Sequence, residues 1–227
     1  MHGFLALRTL DGKTIADGDL LQGATGNVVT SRLVFHFRDG SLHDETAVYS
    51  QDGRFRLLSD HLIQRGPSFP RRLDMSIDAV KGTAVVTYDD HGKEHTARHD
   101  GAFPDDLANG IILTLLKNIR PEDGAQTVSY VAATPSPRLV KLVLTPTGHN
   151  GFSTGGTPRT ATEFAVHVNI GGVTGIVASL TGKQPPDSHV WVLQGEAPAF
   201  VKSEQPLYNG GPVWRIELVS PVWPHGH

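Results

Sequence analysis

The stretch LVFHFRDGSLHDETAVYSQDGRFRLLSDHLI, from Leu33 to Ile63, decides the fold. Three runs of alternating apolar and polar residues are separated by Asp39-Gly40 and Asp52-Gly53. An Asp-Gly pair suits a two-residue hairpin turn, because its glycine tolerates the positive φ that such a turn needs. The stretch therefore reads as three antiparallel strands in a meander. With two-residue turns, facing residues sum to 79 across the first hairpin and to 105 across the second. Phe35 then faces Asp44, Leu33 faces Thr46, Asp44 faces His61 and Thr46 faces Ser59. Side chains alternate between the faces of a strand. One face collects Leu33, Phe35, Phe37, Leu42, Val48, Leu57 and Ile63, and is expected to be the inner one. Asp44, Thr46, Ser59 and His61 fall on that same face.

An acid and an imidazole opposed on an apolar surface are unusual, since an unpaired polar group there costs several kcal/mol by transfer scales, about 2–7. Paired, Asp44 would fix the tautomer of His61 and raise its basicity, as a general base requires. Ser59 would supply a nucleophile or a hydrogen bond to substrate. The plainer reading is an internal polar pair that pins the strand register. A one-residue change at either turn would exchange every partner.

The same punctuation continues outward. Strand-like runs occur at Gly26–Arg38, Leu73–Asp78, Thr83–Asp89, Glu94–Asp100, Thr127–Ala133, Arg138–Thr145, Thr162–Ile170, Val173–Leu180, His189–Leu193 and Val213–Leu218. Short strands at regular spacing argue for an all-β barrel or sandwich rather than βαβ units. Residues 1–227 are expected to form one such domain, a curved antiparallel sheet closing into a barrel or half-barrel. One segment departs from this pattern. Pro104-Asp105-Asp106 looks like a helix start, Leu107, Ile111 and Leu115 recur at helical spacing, and Pro121 ends the run. A helix over about 105–119 is expected to plug the barrel.

Gly148–Pro158, Gly182–Ser188 and Gly195–Pro212 read as irregular loops. Gly151-Phe152-Ser153-Thr154-Gly155 matches the G-x-S-x-G pattern, but that nucleophile works only on a strand-to-helix elbow, and no helix follows Ser153. His95 and His99 share a strand face. Spacing supplies no third ligand, so no metal is assigned. Arg65, Arg71 and Arg72 form a basic cluster broken by prolines, a solvated loop or an anion-binding mouth.

The 20 basic and 23 acidic side chains leave a net charge of -3, which gives no general field for nucleic acid or anionic membrane. No apolar run is long enough for a spanning helix, so no integral membrane segment is expected. The absence of cysteine removes disulfides and thiolate chemistry. No cofactor motif is present. Met1–Leu7 reads as a strand rather than a signal peptide, as it would in a chain already trimmed of a leader or in a cytoplasmic one.

Several segments carry a resemblance: Val34–Ser41, Leu57-Leu58-Ser59-Asp60-His61, Leu107-Ala108-Asn109-Gly110, Pro137–Leu142 and Gly211–Glu217. Through them most of the chain resembles a group of uncharacterised exported bacterial β-barrel proteins. In architecture these are similar to periplasmic lipoprotein-carrier and lipocalin-like barrels. The resemblance implies export to the periplasm or beyond and a curved sheet around a cavity. It implies no activity.

The leading functional expectation is a binding protein for a small apolar molecule or acyl chain. Phe35, Phe37, Leu107 and Ile111 would line the site, while Thr46 and Arg65, with Asp44 and His61, would orient a polar head. One alternative is a hydrolase or isomerase using His61, Asp44 and Ser59. Another is a structural or assembly module with a large exposed apolar patch.

Overall fold

The structure, a computed structural model, describes residues 2–90, 92–135, 137–154, 157–169, 185–195 and 197–219. The described residues form β1 (His2–Arg8), β2 (Thr14–Thr25), β3 (Val28–Phe37), β4 (Leu42–Asp52), β5 (Arg54–Arg65), β6 (Leu73–Asp78), β7 (Thr83–Asp90) and β8 (Lys93–Asp100). A single helix α1 (Ile112–Asn118) and a 3-10 turn at Pro121–Asp123 follow. Then come β9 (Gln126–Ala132), β10 (Arg138–Thr154), β11 (Thr157–Asn169), β12 (Ser188–Leu193), β13 (Ala199–Gln205) and β14 (Trp214–Leu218). The expected strand Val173–Leu180 lies outside the described residues.

All fourteen strands belong to one antiparallel sheet, in the order β8-β7-β6-β5-β4-β3-β2-β1-β14-β13-β12-β11-β10-β9. The first and last strands meet in its middle, with Leu5 opposite Leu218 and Arg8 opposite Arg215. Consecutive hairpins run outward from that seam on both sides. Among the described residues the free edges are therefore β8 and β9, which are neighbours in the chain, and the segment joining them passes through the concavity. The sheet is curved but not closed.

Two apolar clusters fill the hollow. One joins β1–β3 to β10–β14 through Leu7, Phe35, Leu144, Phe164, Val190, Ile216 and the helix residue Leu116. The other joins β4–β7 to Leu107, Ala108, Ile111 and Val131. Ile112 packs against both. At about 25 cal/mol per Å² of apolar surface, covering both faces of this segment is a main source of stability.

The helix is shorter than the expected 105–119 span, and the reason lies in β9. An edge strand presents unpaired backbone groups, which must find partners where they are buried. Asp106–Asn109 supplies them from a turn built around one isolated bridge at Leu107. Leu107 bridges Ser129 in parallel, the Ala108 N–H donates to the Ser129 carbonyl at 2.9 Å, and the Ser129 N–H donates to the Asp106 carbonyl at 3.1 Å. The Asn109 side chain continues the ladder. Its Oδ1 accepts from the Val131 N–H at 2.8 Å and its Nδ2 donates to the Val131 carbonyl at 2.9 Å. Asp106 is held by Ser129 Oγ at 2.6 Å and Lys141 Nζ at 3.0 Å, not placed as a helix cap. Gly110 then turns the chain with φ +65°, and α1 begins after it.

The expected register is corrected by one residue. The Phe37 N–H donates to the Ser41 carbonyl at 2.9 Å and the Gly40 N–H to the Phe37 carbonyl at 3.1 Å, so the first turn holds three residues, Arg38-Asp39-Gly40. Gly40, with φ +85°, takes the left-handed position that closes such a loop. Facing residues of β3 and β4 sum to 78: Phe35 faces His43, Val34 faces Asp44 and Leu33 faces Glu45. In β4 and β5, Asp44 faces Ile63, Thr46 faces His61 and Ala47 faces Asp60. A bulge at Leu58 shifts the pairing, after which Tyr49 faces Leu57. Because the side-chain period is two, the slip exchanges the faces of β4 and of β5 beyond its bulge. Asp44, Thr46, Ser59 and His61 lie on the outer face with Leu42, Val48 and Ile63. His43, Glu45, Ala47, Tyr49, Asp60, Leu62 and Gln64 point inward.

Two of the three expected loops are corrected as well. Gly195–Pro212 contains β13, and of Gly148–Pro158 the described residues 148–154 and 157–158 belong to the outer part of paired β10 and β11. Ser153 pairs there with Pro158, with no helix after it, so no nucleophile elbow forms.

Candidate functional site

The outer-face residues make separate surface pairs. Arg32 grips Asp44 with two hydrogen bonds, 2.9 and 2.6 Å, and this holds the Asp44 carboxyl below its ordinary range. His61 Nε2 lies 2.9 Å from Asp74 Oδ1, with both side chains more than 40% exposed. No Asp44–His61 dyad exists. Ser59 and Thr46 share the outer face with them, and Arg65 is exposed. Phe35 and Phe37 are inside as expected, but as packed core: Phe37 meets Phe69 and Trp214 edge-on at 5.3 and 5.5 Å. Leu107 and Ile111 are also fully packed. His95 and His99 stack on Tyr88 and Phe103, both at 5.2 Å, and among the described residues no group of three metal-ligand side chains assembles.

What the fold does create is interior space. A cavity of about 350 Å³ lies between α1 and the sheet, lined by Leu20, Leu33, Ile112, Leu113, Phe200 and Leu218. Glu45, Lys117, Tyr130 and Gln205 bring polar groups to it. A second cavity of about 280 Å³ is lined by Leu62, Val140, Leu142, Val166, Val168 and His43. The two share Leu33, Glu45, Ile112, Tyr130 and Gln205. Leu218 is 44% exposed, so the larger cavity reaches the surface beside the β1–β14 seam.

The shared wall is electrostatically unusual. Glu45 is half-buried and lines both cavities, and desolvation pushes its carboxyl up to about 7. Asp60, diagonal to it across β4 and β5, is raised well above the carboxylate range by burial and by Glu45. Neither Asp60 oxygen has a hydrogen-bond partner among the described residues. Burial, then Glu45 and Asp60, raise the Tyr130 phenol strongly. Burial lowers the Lys117 ammonium. All of these shifts favour neutral forms in a poorly solvated interior.

His43 is 4% exposed and burial lowers its imidazole to about 4. Gln64 Nε2 donates to His43 Nδ1 at 3.0 Å and to the Leu207 carbonyl at 2.6 Å. His43 Nε2 has no partner among the described residues.

Neither a family model nor a curated protein matches the chain. It is similar to a crystal structure from Brucella abortus, described as a beta-barrel-like protein of domain of unknown function DUF1849. The likeness has a TM-score of 0.54 at 9% identity and covers 96% of this chain and 95% of that one. The fold is beta-barrel-like.

Within this beta-barrel-like frame, sequence reading placed the polar centre on the wrong side of the sheet. Glu45, Asp60 and His43 were legible as inward groups only with a three-residue turn at Asp39-Gly40. Tyr130 left no local signal, since it reaches the site from β9 at the far edge of the sheet.

Proposed function

We propose that this domain holds a small apolar molecule or a single acyl chain inside its curved sheet. The observation that carries the reading is the pair of adjoining cavities, about 350 and 280 Å³, with apolar walls and a few convergent polar groups at their junction. Binding sites for small ligands have this size and character. In this reading the protein works as a carrier in the periplasm or outside the cell. No helix in the described residues is long and apolar enough to cross a membrane. Native mass spectrometry of protein purified without detergent is expected to show a bound apolar mass, and Ala199→Trp, which fills the larger cavity, is expected to abolish it. A clean apo mass, with no uptake of added fatty acids or esters, would sink the proposal. Subcellular fractionation of the source organism with an antibody tests the location.

Glu45 favours a second reading. A carboxyl raised to about 7 inside a cavity is poised for proton transfer, which suits an isomerase or hydrolase on this scaffold. Turnover of any substrate would then change near pH 7 and vanish in Glu45→Gln.

A further inference from the structure

We infer that the junction of the two cavities takes the ammonium head of an alkylamine, with Glu45 as its counter-ion and the alkyl chain in the smaller cavity. This rests on the cavity-binding reading above and names the ligand class. Three polar side chains line both cavities: Glu45 of β4, Tyr130 of β9 and Gln205 of β13. Each carries an oxygen that accepts hydrogen bonds. All three residues are half-buried. Among the described residues, the unpartnered side-chain atoms sealed from open space are Arg8 Nε, His43 Nε2, both Asp60 oxygens and Ser203 Oγ. The acceptors of Glu45, Tyr130 and Gln205 are not of that sealed kind, so a ligand in the cavities can reach them.

Charge and donor count decide what the ligand is. Burial raises the Glu45 carboxyl, and no cation among the described residues offsets that. An opposite charge brought to it would favour the ionised form. An alkylammonium brings that charge together with three N–H donors, as many as there are oxygen-bearing side chains at the junction. A carboxylate head offers acceptors alone and meets the like charge of Glu45. An alcohol offers one donor and no charge. Lys117 lines the larger cavity but not the smaller, and burial weakens its own hold on a proton, which makes it a poor partner for an anion. Its ammonium also turns a second cation away from the larger cavity. The alkyl chain therefore lies along Val140, Leu142, Val166 and Val168 of the smaller one.

The test uses the full chain, freed of lipid, with three matched probes at pH 7.5: octylamine, octanol and octanoate. All three are expected to enter, with octylamine binding about tenfold tighter than either of the others, the effect of a charged hydrogen bond formed in a poorly solvated place. Glu45→Gln keeps the shape of the side chain and removes its charge. It is expected to erase the preference for the amine while octanol affinity stays within about twofold. In carbon-13 spectra of glutamate-labelled wild type at pH 6, the Glu45 carboxyl is expected to move toward its ionised position with octylamine and not with octanol. These spectra and the wild-type comparison do not depend on the variant folding. Octanol or octanoate binding as tightly as octylamine, an amine preference that survives in Glu45→Gln, or a Glu45 signal unmoved by octylamine overturns the inference and leaves the cavity reading standing. A chain that takes none of the three probes overturns both.

Discussion

His43 and Glu45 stand two residues apart on the inner face of β4, and burial displaces them in opposite directions. The folded pKa of Glu45 is raised from 4.5 to about 7, so the folded state keeps a proton that the unfolded chain releases. Its contribution is complete below pH 4.5 and is lost as pH rises to about 7. The folded pKa of His43 falls from 6.5 to about 4, so its contribution is complete above 6.5 and is lost as pH falls toward 4. Between 4.5 and 6.5 the two slopes oppose each other. Glu45→Gln is expected to gain stability over wild type progressively from pH 4.5 to 7, by roughly 1–3 kcal/mol at the upper end, in urea titrations at stepped pH. A constant difference across that range would show that Glu45 ionises normally. The outer-face pairs are the contrast. His61→Ala is expected to change stability by no more than about 0.5–1 kcal/mol, because its pair with Asp74 is exposed and exposed ion pairs contribute little. At this scale the alternation of β4 was plain in the sequence. Its phase was not, because a two- and a three-residue turn share the same Asp-Gly signature.

In the joining segment between β8 and β9, one apolar pattern serves two conformations. Leu107, Ile111 and Leu115 have helical spacing, yet Leu107 forms an isolated bridge to Ser129 and Ile111 immediately precedes α1. The backbone groups of β9 decide the matter, and no local propensity reports them. Asn109→Ala would leave the Val131 N–H and carbonyl unpaired in a buried place. It is expected to cost about 1–3 kcal/mol and to speed hydrogen exchange at Val131 selectively. A Cβ at Gly110 would lie 2.6 Å from Ala47 Cβ and 2.7 Å from Asp60 Oδ1, on a backbone that already has φ +65°. Gly110→Ala is therefore expected to destabilise by about 2 kcal/mol or more in thermal melts. The helix itself was legible from Ile112 onward, where packing on both clusters agrees with the periodicity.

Across the molecule, the β1–β14 seam makes the two arms of the sheet depend on each other. Arg8 and Glu217 add a 3.1 Å ion pair across it. Truncation before Trp214 is expected to remove the single cooperative unfolding transition and to expose β1 and β13 as new edges, visible as aggregation on heating. Retention of one sharp transition would mean that the arms fold independently. The free edge β8 is protected differently, by alternating exposed side chains that include Lys93, Glu94, Arg98 and Asp100. The sequence by itself determined the β-rich class, most strand positions, the hairpin order and the presence of one internal helix, because turn chemistry and period-two alternation are local properties. Tertiary structure alone decided which face turns inward, where the helix starts and which polar groups meet at the cavities. Those outcomes depend on one residue in one loop and on contacts between strands far apart in the chain, where Tyr130 of β9 comes to share a wall with Glu45 of β4.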